Sequence, residues 1–282
     1  MRVSLPCVAI FLAMLAGCTE DGQGTASFTT YGETFIEEQI PASAVEDGWS
    51  ITYSRFLVTF RDIEIAETDA PPAATMAGSV LFNEKVIGTK AIVSFTGLRA
   101  SAYPHVSYHI APATADTALG RGATDADKAL MVSNGYAIYV EAIAQKGAVT
   151  KSFKWGFAQD TLNDRCQGNV SGMLISGAII TNGGTDTMQL TIHGDHFFYD
   201  DLQSAAAKLR FDNIAAADAD GDGVVTLDEL SAVKLAAIPI ENGSYGTGSA
   251  AGIHTLRDFV EALARTVGHF RGEGQCFATP IE

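Results

Sequence analysis

Asp218, Asp220 and Asp222 stand on alternate positions just ahead of Gly223, and charge of one sign gathered this closely is repulsive unless a cation sits among it. Counted from Asp218, oxygen donors fall at Asp218, Asp220, Asp222, the Val224 carbonyl, Thr226 and Glu229. Calcium is a hard ion that takes six to eight oxygens, and a glutamate in the last position closes such a loop through both carboxylate oxygens. The spacing therefore predicts one Ca2+ site, with Thr226 acting through a water and Gly223 supplying a backbone conformation that a Cβ resists. The flanks agree: Leu209, Ile214 and the alanines follow an incoming helical pattern, and Val225, Leu227, Leu230 and Val233 are spaced to pack the loop and an exiting helix.

A second group lies in "TIHGDHFFYDD", where His193, Asp195 and His196 fall at the change from a strand pattern to a helical one. Imidazole and carboxylate together can hold zinc or copper. Against this, strand alternation turns Leu190 and Ile192 to the core and His193 away from it. Asp195 or Asp200 reads equally well as the cap of a following helix, with the histidines exposed or hydrogen-bonded. His105 and His109 would be about 13 Å apart along one strand, too far to share a metal unaided. The chain contains no G-x-S-x-G, no P-loop, no H-E-x-x-H and no G-x-G-x-x-G after a strand, so a non-catalytic protein is expected.

On these residues the 218–229 loop resembles the EF-hand superfamily, including its bacterial extracellular members, over roughly thirty residues. The resemblance implies a helix-loop-helix over 200–236. A paired hand would fall near "GIHTLRDFV", but the slots before it hold Thr247, Ser249 and Ala251 in place of acids, so that segment packs without binding calcium. At the N-terminus, Arg2, a short apolar run and Leu15-Ala16-Gly17-Cys18 look like a bacterial lipobox. The resemblance implies a signal peptide over 1–17, acylation of Cys18, a flexible tether over 18–26 and attachment to a membrane through the lipid. Thr19 after the cysteine suggests the outer membrane. Replacing Cys18 with serine is then expected to move the protein from the detergent phase to the soluble fraction, and unchanged partitioning would reject the anchor. In the order of its strands and in "KWGF" with scattered histidines, the chain is also similar to small periplasmic copper-binding proteins of methane-oxidising bacteria, with no motif that carries ligands across.

The elements that must position these groups are mostly strands. "WSITYSRFLVTFRDIEI" alternates but slips phase twice, which predicts bulges. "SVLFNEKV", "AIVSFTGL", "HVSYHI", "GYAIYVEAI" and "VTKSFKWGF" are further strands, and Asn182-Gly183-Gly184 suggests a hairpin within "MLISGAIITNGGTDTMQLTI". The stretch from Ala111 to Gly135 reads as a long surface connection, and "TLRDFVEALARTVGHF" as an amphipathic helix on Leu256, Phe259, Val260 and Leu263. The expected fold is mainly β with C-terminal helices (α+β): an antiparallel β-sandwich over 27–199, with a helical region over 200–282 packed on it. Cys7 leaves with the leader and Cys18 carries lipid, so Cys166 and Cys276 remain to form a disulfide between the two parts. A net charge of −15 argues against nucleic acid and against anionic lipid surfaces. An envelope protein or a glycan is the expected partner, and the sandwich the expected binding module.

Overall fold

A computed structural model describes residues 22–68, 71–239 and 243–281. The expected signal peptide, Cys18 and the first part of the expected tether lie outside these residues. Where the tether was expected to continue, the chain is already a strand, Gln23–Gly32, because every second residue from Gly24 to Gly32 turns inward and is buried.

Two sheets enclose the larger of two apolar clusters. The first has four strands in the order Gly268–Phe270, Thr185–Ile192, Gln23–Gly32, Lys90–Arg99. The second has eleven, and its main path runs Met173–Ser176, Asp160–Val170, His105–Ile110, Ser50–Ala66, Ile138–Lys146, Val149–Phe157, Val224–Val225. Phe28, Met188 and Leu190 from the first sheet and Phe56, Phe60 and Tyr108 from the second are each fully buried in one apolar cluster. This is the mainly β, sandwich-like α+β fold expected. Most pairings are antiparallel, but Gln23–Gly32 and Thr185–Ile192 run parallel, register Gly32 with Ile192, and so end together.

Local patterning accounts for most of this. The two phase slips in Ser50–Ala66 are register shifts, between Tyr53 and Arg55 and between Arg61 and Glu64, with Asp62 at a φ of 48° in the second. Within the sheets and their connections the chain folds otherwise in three places. The turn at Asn182-Gly183-Gly184 forms, with Gly184 N donating to Thr181 O at 3.0 Å, but it does not close a hairpin. Ala178–Ile179 pairs with Ala102–Tyr103, whereas Thr185–Ile192 enters the four-stranded sheet. The 111–135 connection contains a helix, Asp125–Asn134, started by a Thr124/Asp127 capping box and stopped by Gly135 at a φ of 64°. Residues 268–281, expected in a helical region, return to the sheets: Gly268–Phe270 joins the first and Gln275–Ile281 pairs with Asp160–Val170 in the second. The Cys166–Cys276 disulfide is present and pins that last strand.

The aromatic centre sits under the sequence "DHFF". Phe197 stacks on Phe157 at 5.3 Å, and Phe198 meets Phe153 and Phe211 at 6.0 and 5.7 Å. Trp155 of "KWGF" is fully buried there and donates through Nε1 to Val225 O at 2.9 Å, so it is a packing residue.

Candidate metal centres

The topology brings one group of side chains together that lie far apart in sequence. Because Gly32 and Ile192 are registered neighbours on parallel strands, the residues that follow them, Glu33 and His193, emerge side by side at the same end of the sheet. His193 Nδ1 lies 3.0 Å from Glu33 Oε2. On the other side of Thr185–Ile192 the antiparallel strand Gly268–Phe270 pairs His269 with Thr191, while His193 N donates to Val267 O at 2.9 Å. The chain then tightens into a 3-10 turn, Asp195–Phe198, which Phe197 and Phe198 fasten to the core and which returns Asp195 and His196 to the cluster. Gly194 permits the turn: an added Cβ would fall 2.6 Å from Ile36 Cγ1 and 2.9 Å from Tyr53 Cε2, and the Tyr53 hydroxyl donates to the Gly194 carbonyl at 2.5 Å.

The result is a cluster of three imidazoles. The rings of His193 and His269 stack at 4.0 Å, and His196 lies 5.3 Å from the first and 4.9 Å from the second. One nitrogen from each of the three lies within 4.8 Å of the others. Two rings are oriented from behind: Glu33 holds His193 Nδ1, and Thr266 Oγ1 lies 2.8 Å from His196 Nδ1. Partners of this kind fix the tautomer and ring direction of metal-bound histidines. His193 Nε2, His269 Nδ1 and Asp195 Oδ1 are buried without a hydrogen-bond partner, three of eleven such side-chain atoms among the described residues. Each orphan of this type costs about 1–3 kcal/mol, so three in one cluster call for an account other than packing.

Electrostatics keep two of the rings neutral, as a ligand must be. Burial, with help from the neighbouring imidazoles, holds His196 well below the usual histidine range, and burial beside His193 lowers His269 to about 4. Burial also opposes a charge on His193, but the hydrogen bond and charge of Glu33, with Asp195 and Glu273, outweigh it and raise this group. Asp195 is raised by burial, against the pull of the Tyr199 hydroxyl, which donates to Oδ2 at 3.0 Å, and of His193. The donor set fits zinc or copper: three nitrogens, carboxylates nearby and no thiolate among them.

Of the residues proposed from sequence, His193, Asp195 and His196 are therefore together, but His193 and Asp195 are buried, at 4% and 7% exposed, and not turned outward. Strand alternation stops at Ile192, where the chain bends to pair with Val267. Glu33, Thr266 and His269 were not legible as members. His105 and His109 line a different cavity, with His109 Nδ1 2.8 Å from Asp160. Asp200 and Asp201 order the following loop, accepting from Arg210 Nε at 2.7 Å and from the backbone of Gln203 and Ser204 at 2.8 Å.

The acidic loop is the second candidate. Carboxylate oxygens of Asp218, Asp220 and Glu229 lie within 4.8 Å of one another. The aspartates shape the loop by accepting backbone N–H bonds: Asp218 from Gly221 and Gly223, Asp220 from Asp222, and Asp222 from Val224. Gly221 and Gly223 adopt φ of 75° and 85°, which glycine takes without strain. Asp222 stays outside the group of three, and Thr226 and Glu229 form a capping box at the start of the exiting helix Leu227–Ala232. The incoming helical pattern is realised only over Asp212–Ala215. Upstream of it the chain is held extended, with Phe211 N and Asp212 N both donating to Asp47 and with Leu209 bridged to Val45 and Tyr199.

The loop's neighbour is the sandwich. Val224–Val225 pairs parallel with Ser152 and Phe153, and Lys151 makes a salt bridge to Asp218. The helix Leu256–Ala264 packs against Leu227–Ala232, joined by the Lys234–Thr255 bridge and by Arg257 to Asp228 at 3.0 Å. Hydrogen bonding to Lys151, opposed by desolvation, lowers Asp218 below the ordinary carboxylate range. A comparison of the chain with family models, curated proteins and solved structures finds no match.

Proposed function

We propose that this protein is an extracytoplasmic metal-binding protein in which His193, His196 and His269 bind one zinc or copper ion. The acidic loop binds one calcium ion that braces the C-terminal helices against the sandwich. The observation that carries the first assignment is the convergence of three imidazoles with His193 Nε2 and His269 Nδ1 buried and unpartnered. Glu33 serves as the carboxylate that orients His193. Glu33→Gln is expected to weaken zinc roughly 10–100-fold while leaving the stoichiometry at about one, the usual effect of losing such a partner. Unchanged affinity, measured by competition with a chelating dye, would contradict the assignment.

The calcium assignment is supported by the oxygen donors of Asp218, Asp220 and Glu229 and by the direct pairing of the loop with the sandwich edge. Extracellular calcium sites work at about 10⁻⁴–10⁻³ M, so continuous occupancy and a structural role follow. A tenfold excess of calcium over Kd adds about 1.4 kcal/mol to stability. Thermal melts are expected to rise with calcium relative to chelator in the parent and much less in Glu229→Gln. Equal responses would show that the loop is not the site. The lipid anchor at Cys18 and a binding role for the sandwich toward an envelope protein or glycan complete the proposal.

A further inference from the structure

The cavity beside the imidazoles, about 520 Å3, is lined by Glu33, Asp195 and Glu273 and, among the described residues, by no lysine or arginine. Glu273 shares this cavity with Glu33 and Asp195, and all three carboxylates act electrostatically on His193. Oxygens of Glu33 and Asp195 and a nitrogen of His193 lie within 4.8 Å of one another, a grouping distinct from the imidazole triad although it shares His193. That ring separates the two. Its Nδ1 faces Glu33 at 3.0 Å, and its Nε2 is the buried, unpartnered atom. Asp195 is 7% exposed, and with Oδ2 held by Tyr199 its Oδ1 has no partner.

Resting on the reading of the triad as a transition-metal site, one divalent ion on neutral imidazoles leaves three carboxylates facing two positive charges. We infer that Glu33, Asp195 and Glu273 form a second cation site, adjacent to the first and selective for a hard divalent ion such as Mn2+, Mg2+ or Ca2+. Donor chemistry sorts the two ions. Imidazole favours zinc and copper, whereas carboxylate oxygens favour hard ions that keep several waters, for which the open cavity leaves room. Glu273 is exposed, in the turn before Gly274, so its replacement is expected to leave the fold intact.

The test uses full-length protein carrying Glu229→Gln, to weaken the 218–229 loop, saturated with zinc and titrated with Mn2+ while free Mn2+ is read from its six-line EPR signal. One Mn2+ per protein is expected to disappear from that signal, with at least tenfold weaker uptake after Glu273→Gln and unchanged zinc content. Zinc at one equivalent with no Mn2+ uptake overturns this inference alone, and so does uptake that Glu273→Gln leaves unaltered. A protein that takes up no zinc removes the triad reading and this one together.

Discussion

His269→Leu is expected to lower zinc or copper affinity by roughly 100-fold or more while leaving the metal-free protein within about 1 kcal/mol of the parent, or above it. The two effects come from the same atoms. Three imidazole donors make a site, and removing one leaves two, which is fewer than a zinc centre uses. In the metal-free protein, however, His269 Nδ1 is a buried polar atom with no partner, and leucine fills most of its volume without that penalty. Chelator-treated melts measure the stability, and calorimetric titration measures the affinity. A variant that melts well below the parent without metal, yet still binds zinc as tightly, would make His269 a structural residue and remove the centre.

The disulfide carries the next largest effect. Cys166 and Cys276 are 110 residues apart in sequence. Closing a loop of that size is worth about 4–5 kcal/mol on the chain-entropy view, and replacing both cysteines with serine should lower the melting midpoint by on the order of 10 °C. The position of the bond adds a second consequence. His269 lies in a strand of the four-stranded sheet and Cys276 in a strand of the eleven-stranded sheet, so the 271–274 turn is a strap between the two. Cys276 lines a cavity of about 530 Å3 together with His196 and His269. The serine variant should therefore also bind zinc more weakly than the parent. A midpoint within a degree of the parent, measured by scanning calorimetry without reductant, would show that hydrogen bonds to Asp160–Val170 hold the last strand unaided.

The sandwich was legible where one face of a strand is buried and the other is wet. Val106, Tyr108 and Ile110 announce their strand by alternation, and the slips around Tyr53 and Arg61 announce its neighbour's bulges. Leu256, Phe259, Val260 and Leu263 announce the last helix in the same way, with a 3.6-residue period. The helix Asp125–Asn134 escaped because it buries only Asp127 and Met131, which leaves almost no apolar stripe; its Thr124/Asp127 box and Gly135 stop were the readable signals. The Asn182-Gly183-Gly184 turn shows a separate limit. Turn chemistry bends the chain but does not choose the partners of the strands on either side.

The imidazole centre was half legible for a related reason. "HGDH" puts His193, Asp195 and His196 near one another in any conformation, so local sequence found them. Glu33 and His269 join only through strand pairing, one by a parallel neighbour and the other by an antiparallel one, and neither stretch carries a pattern naming its partner. The acidic loop is the opposite case. Every proposed donor lies within one local segment, and the tertiary contribution is what the loop leans on, the Val149–Phe157 edge strand.

Metal analysis of the purified protein, equilibrated with zinc, copper and calcium and then dialysed, decides whether it carries two kinds of metal site. One equivalent of zinc or copper and one of calcium are expected in the parent, with the zinc or copper lost in His269→Leu and the calcium retained. Calcium without any zinc or copper in the parent, or transition metal retained in full by His269→Leu, would contradict that expectation.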